Sequence, residues 1–247
     1  MDKIQFLNTF VNNCTMEECI IEIERLIAED KKSYVVPVNV DVIVKAEKNE
    51  RLKKIIDNAD IVLVDGKPLI WIAKKHKKPI TEKVSGSDLV PELCKIAEEK
   101  GYSVYILGGK KGVAAAAGRK LEQKFSNIKI AGTYEPEFGF EKNEEECRRI
   151  IDEINAAKPD ILLVCLGCPK QEQFVYDNID KYSAKVSICA GATVDFLAGR
   201  VKRAPKWMRN HGLEWFYRFL HEPFRLFKRY FIDDLKIIKL SRKYRKQ

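Results

Sequence analysis

Residues 161–172 read Ile161-Leu162-Leu163-Val164-Cys165-Leu166-Gly167-Cys168-Pro169-Lys170-Gln171-Glu172. Six apolar residues in a row suit a strand buried on both faces, as in a parallel sheet; a strand with one wet face would alternate. Glycine and proline then break the run, and a helix rich in polar groups follows. Strands of this kind need helices above and below them, so the stretch points to an α/β fold.

The same pattern recurs on both sides. Strands are predicted at 34–38, 61–64, 103–107, 128–132, 161–166 and 185–190, with segments of 3.6-residue periodicity between them. Thr15-Met16-Glu17-Glu18 is a capping box that opens a helix to about Ala28. Ser87-Asp88 precedes a helix to about Lys100, which Gly101 ends, and residues 112–125 and 143–157 read as further helices. Ile4–Val11 reads as a small hairpin or an edge strand. No repeat, low-complexity stretch or flexible linker interrupts the pattern.

From Arg200 the composition changes. Residues 200–247 hold 15 Lys and Arg against 4 Asp and Glu, whereas residues 1–199 hold 30 against 32. Ten of the 24 aromatic residues, Trp207 and Trp215 among them, lie in this last segment. On a helical wheel, residues 216, 219, 220, 224, 227, 231, 235 and 238 share an arc of about 160° and the basic residues cluster opposite, with Pro223 dividing the segment into two helices. A basic segment rich in large aromatics suits a bilayer surface with anionic lipids. A basic helix docked on its own domain, or a nucleic-acid arm, are the other readings. The expected organisation is a catalytic body, 1–199, and a helical membrane-associating appendage, 200–247.

The first ten residues lack the basic-then-apolar pattern of a signal peptide, and no apolar run approaches the roughly 18 residues a spanning helix needs. The expectation is a protein of the cytosol or of the cytosolic membrane face. Seven irregularly spaced cysteines suit a reducing compartment. Cys165 and Cys168 form a CxxC without a second pair or a nearby His, and read as buried thiols at a strand end.

Ligands of open parallel sheets bind beyond the carboxyl ends of the strands. Four such ends carry suggestive residues: Asn39 and Asp41 after the first strand; Asp65-Gly66-Lys67-Pro68 after the second; Gly108-Gly109-Lys110-Lys111-Gly112 after the third; Gly167 to Glu172 after the fifth. Glycines let a backbone approach a diphosphate, and a helix N-terminus offers free N–H groups. Asp65 reads equally as a helix cap, Asn39 and Asp41 as turn formers, Gln171 and Glu172 as solvated first-turn residues. There is no P-loop, no GxSxG elbow and no Asp-x-Asp, and His76, His211 and His221 are too scattered for an evident metal cluster.

Together these motifs resemble the WecG/TagA/CpsF glycosyltransferases, family 26, over nearly the whole chain. The resemblance is carried by Asn39, Val64-Asp65-Gly66, Val84-Ser85-Gly86-Ser87-Asp88-Leu89, Leu107-Gly108-Gly109, Gly167-Cys168-Pro169-Lys170-Gln171-Glu172, Asp195-Phe196-Leu197-Ala198-Gly199, Val201-Lys202-Arg203-Ala204-Pro205, and Leu213-Glu214-Trp215-Phe216-Tyr217-Arg218 followed by Glu222-Pro223-Phe224-Arg225. It implies a Rossmann-like fold, no metal or cofactor, and inverting transfer of a sugar from a UDP-sugar to a polyprenyl-diphosphate-linked sugar at the cytoplasmic membrane face. N-acetylmannosamine for teichoic acid or surface polysaccharide is favoured; UDP-glucose or UDP-N-acetylmannosaminuronic acid are alternative donors.

The resemblance further implies Asp65 as general base. Asn39 and Gln171 are implied in the substrate pocket, and Arg218, Arg225 and Arg229 as residues that close over the site. The familiar threonine before the asparagine is replaced here by Pro37. Such a transfer needs a base for the acceptor hydroxyl, in-line geometry, and neutralisation of the leaving diphosphate. The arginines can supply the last, or backbone N–H groups near Gly108 and Gly109. Gly66, Gly86, Asp88, Gly167, Lys170, Glu172, Asp195 and Arg203 complete the expected substrate-binding set. Apolar tail faces of two subunits could pair in solution and separate at a membrane. A nucleotide-binding oxidoreductase or regulatory module using the Gly108–Gly112 turn is the alternative of another class. The missing third glycine of GxGxxG counts against it. No nucleic-acid partner is expected.

Overall fold

The computed structural model describes residues 1–78 and 80–245. The chain opens with the hairpin, β1 (Asp2–Phe6) and β2 (Thr9–Asn13), then α1 (Met16–Ala28), whose capping box joins Thr15 and Glu18 as expected. There follow β3 (Ser33–Val38), α2 (Val40–Ala46), α3 (Glu50–Asp57), β4 (Ile61–Val64), α4 (Lys67–Lys75), α5 (Gly86–Lys100), β5 (Ser103–Gly108), α6 (Val113–Lys124), β6 (Lys129–Tyr134), α7 (Glu144–Ala157), β7 (Ile161–Cys165), α8 (Lys170–Asn178), β8 (Val186–Cys189) and α9 (Thr193–Leu197).

Strands β3 to β8 form one parallel sheet in the order β4-β3-β8-β7-β5-β6. The chain winds outward from β3 to β4, jumps to β5 and β6 at the far side, and fills the centre with β7 and β8. Helices cover both faces, and each face has its own apolar core. Every residue of β3, β4, β7 and β8 is buried, which is why their sequences do not alternate. Pro37 is tolerated in β3 because the ladder to β8 stops at Val35, before a donor at 37 would be needed.

Three boundaries differ from the sequence reading. Helix α5 begins at Gly86, because Ser85 Oγ accepts from the Asp88 N–H and caps the helix there. Strand β6 runs to Tyr134, carried on by an irregularity in the β5 ladder between Val104 and Tyr105. Helices α2 and α3 occupy the stretch after Asn39, where the sequence reading names turn formers. Asn39 does cap α2, its Oδ1 accepting from the Val42 N–H at 3.2 Å.

After α9 the chain forms α10 (Lys206–Asn210), α11 (Glu214–His221) and α12 (Pro223–Lys228), then two short non-α turns and α13 (Ile237–Lys243). Pro223 opens a new helix as expected. The segment returns to the body: Ile237 and Leu240 join the core beside α2 and α3, and Ser241 Oγ lies 2.9 Å from His76 Nε2. Glu47 accepts from Lys243 at 2.7 Å and from the Tyr244 hydroxyl at 3.1 Å. The apolar wheel positions do not form the docked face. Phe216, Leu220, Phe224, Phe227, Phe231, Leu235 and Ile238 are all exposed, Phe224 to 99%. No helix among the described residues is long and apolar enough to cross a membrane.

Candidate active site

The carboxyl ends of β3, β4, β5, β7 and β8 lie along one edge of the sheet, and two cavities open there. The first, about 380 Å³, lies over β3 and β4. Asn39, Asp65, Gly66 and Lys83 line it from the body, and Glu214, Trp215, Arg218, Arg229 and Tyr230 from the C-terminal segment. The second, about 950 Å³, lies over β5 and β7, with Gly109, Lys110, Lys111, Lys170, Asp195 and Arg225 in its walls. Phe196 and Arg218 line both, so the cavities meet at these two side chains.

Asp65 follows β4 directly, and its N–H donates to the Val38 carbonyl at 2.8 Å, which extends the β3–β4 ladder by one bond. Gly66, at φ +113°, turns the chain so that Lys67-Pro68 can open α4. Burial in the cavity pushes the Asp65 carboxyl up to about 6; Lys83 opposes this, and Glu214 and Asp88 add to it. The helix-cap reading of Asp65 fails, since the residue that caps α4 is Gly66, with no side-chain bond.

Of the arginines, Arg218 stands where the cavities meet, with its guanidinium 5.8 Å from the Phe196 ring centre. Arg229 lies in the first cavity, 3.8 Å from Asp41 and 3.9 Å from Asp234. Arg225 faces the second and is held by Glu222. In the second cavity Lys170 pairs with Glu141 at 2.7 Å, and Asp195 accepts from Arg200 at 2.9 Å.

The glycine turn after β5 crosses the end of β7. A Cβ on Gly108, at φ +115°, would lie 2.4 Å from the Cys165 carbonyl oxygen, so no side chain fits there. The N-terminus of α6 is already answered in part, because Glu135 Oε1 accepts from the Ala115 N–H at 2.9 Å. A carboxylate in that place weakens the reading of this turn as the main anion cradle. Cys165 and Cys168 are free thiols at the end of β7, as the sequence suggested.

Seven expected site residues line neither cavity: Gly86, Asp88, Gly108, Gly167, Gln171, Glu172 and Arg203. Asp88 and Arg203 bind each other at 2.8 Å, and Arg203 also donates to the Ser87 carbonyl at 3.0 Å. Lys83 and Arg209 join Asp88, and Glu214 lies 3.6 Å from Arg203. Burial works against the charge on Asp88, but hydrogen bonds from Lys83, Ser85 and Arg203 outweigh it and hold the carboxyl well below its usual range. This knot ties the start of the C-terminal segment to α5. Gly86 packs against Ala190 and the Pro37 ring, where a Cβ would lie 3.5 to 3.6 Å from them.

Lys83, Glu214, Phe196 and Tyr230 line the first cavity but were not among the expected site residues. Glu214 and Phe196 sit inside blocks that carry the resemblance. Lys83 has no local signal; only the return of the loop before α5 to the end of β4, where the Val84 N–H donates to the Val64 carbonyl, brings it to Asp65.

A family model described as Glycosyl transferase WecG/TagA/CpsF matches residues 4–247. The chain is 32% identical over 197 residues to the N-acetylglucosaminyldiphosphoundecaprenol N-acetyl-beta-D-mannosaminyltransferase of Bacillus spizizenii, covering 80% of this chain and 74% of that one. It is 28% identical over 248 residues to the protein of the same name in Staphylococcus aureus, covering 99% and 95%. The Bacillus subtilis protein of that name is 30% identical over 188 residues, 76% and 71% of the two chains.

Proposed function

The chain belongs to the WecG/TagA/CpsF glycosyltransferase family, and from that premise we propose that it transfers N-acetylmannosamine from a UDP-sugar to N-acetylglucosaminyl-diphospho-undecaprenol. The observation that carries this reading is Asp65, a half-buried carboxylate in an open cavity that it shares with arginines. Membership displaces the oxidoreductase alternative, whose glycine turn here opens beside a transferase site.

The geometry supports the following chemistry. Asp65 takes the proton of the attacking acceptor hydroxyl as its oxygen closes on the anomeric carbon. The bond from that carbon to the UDP oxygen breaks with inversion, and the leaving diphosphate gathers charge. Arg218, between the two cavities, can hold those oxygens, with Arg225 and Arg229 on either side. A carboxyl titrating near 6 is ionised at neutral pH and still basic enough to accept a proton.

The second cavity, larger and lined by lysines, suits the nucleotide; the first, walled by Trp215, Tyr230 and Phe231, suits the acceptor sugar and the start of its lipid. The exposed apolar residues of α11 and α12 would enter the acyl boundary at the inner face of the membrane, with basic residues beside them toward anionic headgroups.

The deciding assay offers UDP-N-acetylmannosamine, UDP-glucose and UDP-N-acetylmannosaminuronic acid with a short-chain lipid-diphosphate-GlcNAc acceptor and measures released UDP. Turnover with the first donor is expected. Transfer from another donor alone would move the proposal to that sugar, and release with none would end it.

A further inference from the structure

Gln171 and Glu172 open α8, yet they are the most enclosed polar pair near the site: Gln171 is 5% exposed and Glu172 not at all. Gln171 Oε1 accepts two backbone N–H groups, from Gly167 at 3.2 Å and from Gly191 at 3.0 Å. Gly167 belongs to the loop after β7 and Gly191 to the loop after β8, so one oxygen clasps two neighbouring strand ends. The other half of the amide, Nε2, donates to Glu172 Oε1 at 2.8 Å. Glu172 Oε2 is buried with no hydrogen-bond partner among the described residues.

This arrangement has one self-consistent orientation. Turning the Gln171 amide over would set its NH₂ against two N–H donors and its oxygen against a carboxyl oxygen. The two N–H donors fix the side of the oxygen, and the acceptor at 172 holds Nε2 in the same orientation. The clasped loops then supply walls of the larger cavity: Cys165, Leu166 and Lys170 come from the β7 side, Ala192 and Asp195 from the β8 side.

We propose that Gln171 and Glu172 are a positioning pair: Glu172 orients the Gln171 amide, which staples the β7 and β8 loops and sets the width of the larger cavity without touching substrate. Burial raises the Glu172 carboxyl above its usual range, which suits a neutral acceptor in this place. An amide can replace such a group, and an alkyl chain cannot.

The test compares Glu172→Gln, Glu172→Leu, Gln171→Met and the double variant Gln171→Met/Glu172→Leu. Amide hydrogen exchange of Gly167 and Gly191 is read first, with no ligand. Both amides should stay protected in Glu172→Gln and exchange faster in the other three. Under the transferase reading, on which this second arm rests, KM for the UDP-sugar should change little in Glu172→Gln and rise about tenfold or more in Glu172→Leu, as a misplaced wall predicts. The double variant should be no worse than Gln171→Met, because the two residues act through one contact. Equal effects of Gln and Leu at 172, or multiplying effects in the double variant, would overturn the pair. Protected amides in an enzyme that turns over no UDP-sugar would instead count against the transferase reading. If Glu172→Leu does not fold, the exchange and KM of Gln171→Met against Glu172→Gln decide alone: identical behaviour refutes the staple.

Discussion

Replacing Asp65 by Asn should make the protein more stable and nearly inactive at once. The carboxyl rises from 3.8 to about 6 in the folded chain, chiefly through burial. At about 1.36 kcal/mol for each tenfold change in proton affinity, that displacement costs the folded state about 3 kcal/mol once the group is ionised. The sign follows from proton counting. The folded chain holds this proton to a higher pH than the unfolded chain, so the Asp65 contribution is fully present below about pH 4 and is lost as pH rises through about 6. Asparagine has the same shape and no charge, so the variant escapes the loss. Its gain in urea unfolding should approach zero at pH 4 and climb toward an upper limit of about 3 kcal/mol at pH 8, reduced by whatever the buried amide itself costs. Over the same range the wild-type kcat/KM should show an acid limb near pH 6 that the variant lacks, with turnover at pH 8 lower by about 10²-fold. A variant as stable as wild type at every pH would refute the buried-carboxylate argument. Near-native turnover would remove Asp65 as the base.

Three further outcomes are expected. Arg218→Lys keeps a charge but loses the two-pronged contact to phosphate, and should lower kcat by about 10²-fold with a smaller change in UDP binding by calorimetry; equal losses in both would mean ground-state binding only. Gly108→Ala should destabilise by about 1–3 kcal/mol in chemical unfolding, since its Cβ meets the Cys165 carbonyl at a positive φ. Phe224→Asp with Phe227→Asp should abolish flotation with anionic liposomes and spare turnover on a water-soluble acceptor, because both side chains point away from the cavities; persistent flotation, or a shift from dimer to monomer in solution without lost flotation, would make this stripe a contact between copies.

The sheet was legible because its central strands are buried on both faces and so announce themselves as unbroken apolar runs; five of the six lie within one residue of their expected bounds at either end, and β6 within two. Short helices such as α2 were not, because seven residues give too little periodicity to separate a helix from a capped turn. The site divides in a similar way. Asp65, Asn39 and the arginines carry chemistry suited to a cavity and do line one. Asp88, Arg203, Gln171 and Glu172 carry the same kinds of groups, yet the fold spends them on tying loops and helices together. Residue type and motif alone do not separate a polar group that meets substrate from one that holds the wall. Burial and partners do, and both depend on contacts distant in sequence, such as Arg203 with Asp88.

The C-terminal segment shows why that distinction bears on function. A basic amphipathic helix docked for stability alone would turn its apolar face inward. Here Phe216, Leu220, Phe224, Phe227 and Ile238 are exposed outside the cavities, while Arg218 and Arg229 on the same segment line them beside Phe231 and Leu235. Exposing so much apolar surface is unfavourable in water and calls for a covering partner. Turning the arginines inward is also unfavourable without a closely bound anion: Arg229 stands 3.8 Å from Asp41 and 3.9 Å from Asp234, and its buried Nε lacks a hydrogen bond. Both costs fall if the segment lies on a bilayer that presents a diphosphate-linked acceptor from below. Removing the segment outright would be a poor test of this, since Ile237 and Leu240 belong to the core and their loss would uncover the face of α2 on which α13 packs. Single substitutions on the outward stripe and at the inward arginines separate the two roles: the first should cost membrane capture and the second turnover, and a stripe variant that loses turnover on a soluble acceptor would show that seating and catalysis cannot be divided in this way.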